Sequence, residues 1–90
     1  MNGVEYHAFS EITRVVERYN SCLETAPEIG QQIDLSEQLS VQNPVKLIDG
    51  LLIQMQKVIV CCRKHGYEAQ ADEINTQVIQ LHDVKTDMQN

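Results

Sequence analysis

Cys61 and His65 stand four residues apart, so on a helix they share a face, and Cys22 is the one thiol that a different helix can bring to them. This is the nearest approach to a metal-ligand set in the chain. Zinc takes four ligands, commonly in Cys-x-x-Cys or paired-histidine spacings, and neither spacing occurs. Cys61 and Cys62 are adjacent, and side chains one residue apart on a helix diverge by about 100°, so they do not serve one another. Cys22 and Cys62 also fall on or beside apolar stripes, where cysteine behaves as a small hydrophobe. A small metal or thiol protein using Cys22, Cys61 and His65 is therefore the weakest of three readings, and no cofactor is expected.

Other catalytic arrangements are equally thin. A reactive thiolate needs an electropositive, partly exposed setting. Arg63, Lys64 and His65 are near Cys61, but the C-terminal end of a helix opposes a thiolate where an N-terminal end would favour it. His7, His65 and His82 are scattered singly. Asp72 and Glu73 are adjacent on a helix and do not face one another, and negative charge in a first turn explains them. Four isolated glycines cannot form a phosphate-binding loop. The expectation is a protein that is not an enzyme.

Charge narrows the partners. Seven basic residues against thirteen acidic ones give a net charge of -6. That balance argues against nucleic acid and against anionic membrane surfaces, both of which call for clustered Lys and Arg. The stretch Leu51 to Cys62 is too short and too polar to span a bilayer. Residues 1–20 lack a signal-peptide pattern, and an odd cysteine count fits a reducing compartment, so a cytoplasmic location is expected. Between Tyr19 and Val45 there is no Lys or Arg, while Glu24, Glu28, Asp34 and Glu37 are present. This acidic stretch is either a solvated connection, the favoured reading, or a docking face by which a regulator blocks a basic protein surface through residues 24–37.

The elements that would position these residues are helices. Two prolines and few glycines leave little punctuation in ninety residues, enough for a single domain with an aliphatic core. The pattern predicts an all-α, small antiparallel three- to four-helix bundle, with helices at about 4–24, 27–40 (short or broken), 44–65 and 67–88. In the first, Phe9, Ile12, Val16, Tyr19 and Leu23 alternate at spacings of three and four. Asn2 with Glu5, and Thr25 with Glu28, have capping-box spacing. Gly30 is expected to weaken the second helix. The third has the clearest ends, an Asn43 cap with Pro44 at the first position and Gly66 just past the close. The fourth carries Tyr67, Ala71, Ile74, Val78, Leu81 and Met88. The Gly66 turn is short, so the last two helices form an antiparallel hairpin along which the first packs.

The helix at 44–65 is unusual in being apolar on two sides. Its main stripe runs through Ile48, Leu51, Met55, Val58 and Cys62. On the far side Lys46, Gly50, Lys57 and Lys64 form a narrow line with Ile53 and Val60 beside it, and Ile79 is similarly displaced from the stripe of the last helix. Either residues 27–40 cover Ile53 and Val60, or another protein does, with Gly50 admitting a close backbone approach. Together Ile53, Val60 and Ile79 would make a patch of the kind that marks association. The favoured expectation is thus a non-enzymatic protein–protein interaction module (adaptor, chaperone or inhibitor), self- or hetero-oligomeric, acting through aliphatic helix faces. The Asn43-Pro44 turn and the leucine-rich helix after it loosely resemble the turn-and-helix of type III secretion needle and rod subunits over a minority of the chain. The Gly66 turn and separate last helix depart from that pattern, and no residue role carries over.

Overall fold

The computed structural model describes residues 3–37 and 43–89. They form three long helices, α1 (Gly3–Glu24), α2 (Pro44–Lys64) and α3 (Glu68–Gln89), with single 3₁₀ turns at Pro27–Ile29 and Leu35–Glu37 and no strand among the described residues. The helices pack as a small all-α bundle in which α1 and α2 both lie against α3. The expected second helix is two separate turns joined by the non-helical stretch 30–34. Residues 38–40 of that expected helix, including Leu39, lie outside the described residues.

Local chemistry explains the ends of α2. The Asn43 side chain accepts a hydrogen bond from the backbone N–H of Lys46 at 2.9 Å, and Pro44 occupies the first helical position. At the other end Gly66 has φ +84°, the left-handed region that glycine enters without a Cβ penalty. There the N–H of Tyr67 donates to the carbonyl of Cys62 at 2.8 Å and that of Gly66 to Arg63 at 3.4 Å, the paired bonds of a Schellman close. One residue later the chain starts α3 in the reverse direction. The capping boxes fare differently. The Thr25 hydroxyl donates back to the carbonyl of Cys22 at 2.8 Å, and the turn at Pro27–Ile29 has no side-chain cap. A single 3₁₀ turn leaves few free N–H groups for such a box to satisfy. Asn2 and the side chain of Glu5 lie outside the described residues.

The core is aliphatic, as the composition requires. Ile12, Val16, Tyr19 and Leu23 from α1 meet Leu47, Ile48, Leu51, Met55 and Cys62 from α2 and Ala71, Ile74, Val78 and Leu81 from α3. Phe9 and Tyr67 are only half-buried at its edge. Burial pushes the Tyr19 hydroxyl up to about 12, partly opposed by the side chain of Gln54. Gln77 of α3 is 1% exposed, and neither end of its amide finds a partner among the described residues. An unpaired buried amide costs about 1–3 kcal/mol, so this residue works against the stability of the bundle.

Pro27–Ile29 packs against both α1 and α2, and the connecting segment drops Ile29, Ile33 and Leu35 into the core. The segment is fastened by Asn20. Its amide nitrogen donates to the Ile33 carbonyl at 2.9 Å, and its amide oxygen accepts from the Ile33 N–H at 2.8 Å. The side chain thus supplies both bonds that a neighbouring strand would give. Gly30 lies outside any helix, and its role is spatial. A Cβ there would stand 2.9 Å from Cγ2 of Val58, closer than packed carbons tolerate, so the missing side chain lets the segment lie flat on α2.

Replacing Asn20 by Ala removes both bonds to Ile33. The expected cost is about 1–3 kcal/mol of global stability. Amide hydrogen exchange across residues 26–36 should accelerate more than in α3. Equal acceleration everywhere would show that Asn20 is not a local clamp.

Candidate interaction surface

Ile53 and Val60 are 57% and 67% exposed, and Ile79 is 54% exposed. At about 100° per residue, Ile53 and Val60 fall opposite Met55 and Cys62, the centre of the buried stripe of α2. Ile79 falls opposite Gln77 and Leu81 in the same way on α3. Residues 27–37 therefore cover a different side of α2, the one bearing Val58, and leave Ile53 and Val60 bare. Gly50 is exposed as well, and among the described residues nothing stands within 4 Å of where its Cβ would be. The close approach expected at Gly50 is not made among the described residues, whereas one is made at Gly30.

The hairpin brings the three aliphatic residues onto one face. Ile53 and Ile79 are each thirteen positions from Gly66, so in antiparallel helices of equal rise they stand at one level. Ion pairs across the groove between α2 and α3 confirm this register. Lys85 Nζ meets Asp49 Oδ1 at 2.6 Å, and Arg63 reaches Glu68 at 2.7 Å and Asp72 at 3.4 Å. From the other side α1 closes the bundle, where the Cys22 thiol and the Thr25 hydroxyl meet Gln70 of α3. Gln70 is on the line of α3 opposite Ile79. The face bearing Ile53, Val60 and Ile79 is thus the outer side of the hairpin, turned away from α1. Tyr6 is also exposed, but it belongs to α1.

Charge divides this face lengthwise. Four of the seven basic residues of an acidic chain, Lys46, Lys57, Arg63 and Lys64, lie on α2 with one carboxylate, Asp49. On α3 Glu68, Asp72, Asp83 and Asp87 stand against a single Lys85, with Asp83 at the rim of a cleft with α1, while the fifth carboxylate, Glu73, turns into the other α1 cleft. Among the described residues Lys46, Lys57 and Lys64 form no ion pair. The result is a basic edge beside an acidic edge, with exposed aliphatic side chains between them.

The other sequence-predicted residues have local employment. Glu28 is exposed, and its carboxylate accepts a hydrogen bond from the Tyr67 hydroxyl, which ties the connecting segment to the start of α3. Asp34 accepts from the hydroxyl of Ser36 at 2.6 Å and from its N–H at 2.9 Å, bonds that hold its carboxyl below the usual range. Glu37 is in the second 3₁₀ turn, and its side chain lies outside the described residues. The acidic stretch is real as a charge pattern, but two of its carboxylates serve turns and tethers.

Two of the three thiols are held in surroundings that oppose a thiolate. Cys62 is buried and Cys22 half-buried, and desolvation pushes both thiols up, helped at Cys22 by the Glu73 carboxylate. Among the described residues no three His, Cys, Asp or Glu side chains gather as a metal set. The clefts between α1 and α3 are shallow and charged, one lined by Glu17, Arg18, Ser21, Cys22 and Glu73 and another by Glu11, Arg14, Arg18, Gln80 and Asp83. No described helix is long and apolar enough to cross a membrane.

At neutral pH Cys62 should resist iodoacetamide until the protein is unfolded in denaturant, because its thiol is both protonated and covered. Rapid labelling of Cys62 in the native protein, read by peptide mass, would contradict this packing. No family model, curated protein or solved structure matches the chain.

Proposed function

We propose that this chain is a non-enzymatic protein–protein interaction module that docks through the outer face of its α2–α3 hairpin. The observation that carries the reading is the position of Ile53 and Val60. Both are more than half exposed, and both sit at the centre of the side of α2 opposite its own core. Single exposed aliphatics are ordinary on protein surfaces. Two on one helical line, with Ile79 level with the first on the adjacent helix, form a row that a flat partner surface can cover at once. Lys46, Lys57 and Lys64, which form no ion pair among the described residues, supply a polar rim, the usual anatomy of a docking surface. Three free thiols, two of them raised by burial, support a reducing, cytoplasmic setting as part of the same reading.

The test is a paired binding experiment with wild type and the double variant Ile53→Glu/Val60→Glu. The substitutions are at exposed positions, so helicity and thermal midpoint should stay close to wild type, within about 0.5 kcal/mol of stability. Association with a purified partner, or with a second copy, should weaken by about tenfold or more. Partner binding unchanged by both charges would remove this face from the function.

A further inference from the structure

We infer that the occupant of this face is a second copy of the same chain, packed so that α2 of each copy lies along α3 of the other. The inference rests on the interaction reading above and names its partner. Charge and register select this partner. The face carries a basic edge on α2 and an acidic edge on α3, and such a surface is complementary to itself in one orientation. A two-fold axis parallel to the helices places α2 on the partner's α3, running antiparallel. A two-fold axis across the helices places α2 on α2 and sets lysine against lysine, which costs association free energy.

The register about Gly66 makes the favoured orientation specific. Ile53 and Ile79 are level within one chain, so the parallel two-fold axis sets Ile53 of each copy against Ile79 of the other. Counting along the same levels, Lys64 meets Glu68, Lys57 comes within one turn of Asp72, and Lys46 within one turn of Asp83. Among the described residues of the single chain these three lysines form no ion pair. Val60 and Gly50 fill out the contact, and the bare Gly50 lets the opposing helix approach.

Size sets the strength. Helices of 21 and 22 residues are about 32 Å long, and two side by side span about 18 Å, so the face can bury about 600 Å² per copy. That falls below the roughly 800 Å² per partner of a standard stable interface, which fits a reversible, concentration-dependent dimer. Its assembly is also weakened by salt, because the edge charges are exposed.

A charge-exchange experiment by sedimentation velocity tests this arrangement on the full chain. One variant carries Lys46→Glu and Lys57→Glu, the other Asp72→Lys and Asp83→Lys. All four sites are exposed, and circular dichroism checks that each variant keeps its helicity. The wild type should show a concentration-dependent dimer. Each variant alone should be a monomer at concentrations where the wild type is dimeric, and an equimolar mixture should regain the dimer, since both contacts of the mixed pair are then of opposite sign. A wild type that stays monomeric at concentrations on the order of several hundred micromolar, where even weak transient interfaces assemble, would overturn the inference. So would a mixture of variants that stays monomeric, or variants that dimerise alone. If the wild type is monomeric but a different protein binds and is lost with Ile53→Glu/Val60→Glu, the second-copy inference fails and the interaction reading stands. If neither occurs, both fail.

Discussion

The turn at Gly66 is the constraint on which the rest of the molecule depends. Its left-handed backbone and the two bonds that close α2 reverse the chain within three residues. That reversal sets which residue of α3 lies level with which residue of α2. The buried stripes then meet over the core, and the outward stripes necessarily meet on the opposite side. A side chain at this position would strain the turn, and slippage of the hairpin would separate Ile53 from Ile79 and Asp49 from Lys85 together.

The bundle is held by aliphatic packing and weakened where polar groups enter it. Each fully buried Leu or Ile contributes about 1.5–3 kcal/mol relative to exposure. Ile53, Val60 and Ile79 forgo most of that contribution in the single chain. Gln77 brings an unpaired amide into the interior, and the connecting segment relies on one asparagine for its fastening. Aliphatic surface left outside and a polar group left inside are both costs to an isolated bundle. The former is recoverable by association.

Much of this was legible in the sequence where the determining chemistry is local. Asn43-Pro44 and Gly66 mark the ends of α2 because caps and left-handed turns involve residues within a few positions of one another. The outward placement of Ile53, Val60 and Ile79 was legible because helical phase alone sets it. What was not legible depends on distant partners. Asn20 reads as an unremarkable polar residue of an amphipathic helix until Ile33 folds onto it. Gly30 reads as a helix weakener, whereas its use is to admit Val58. Gln77 carries the polarity of a surface residue yet lies in the core, three residues after Ile74 and four before Leu81. Thr25 and Glu28 have the spacing of a capping box, but their side chains bond to Cys22 and Tyr67 instead.

The central claim is that the outer face of the hairpin is a docking surface occupied by a second copy. Methyl NMR on a dilution series tests it most directly. The account predicts that the methyl resonances of Ile53, Val60 and Ile79 shift with protein concentration while those of Ile12, Ile74 and Leu81 in the core stay fixed. Shifts confined to another surface, or no concentration dependence at any of the three methyl-bearing residues, would contradict it.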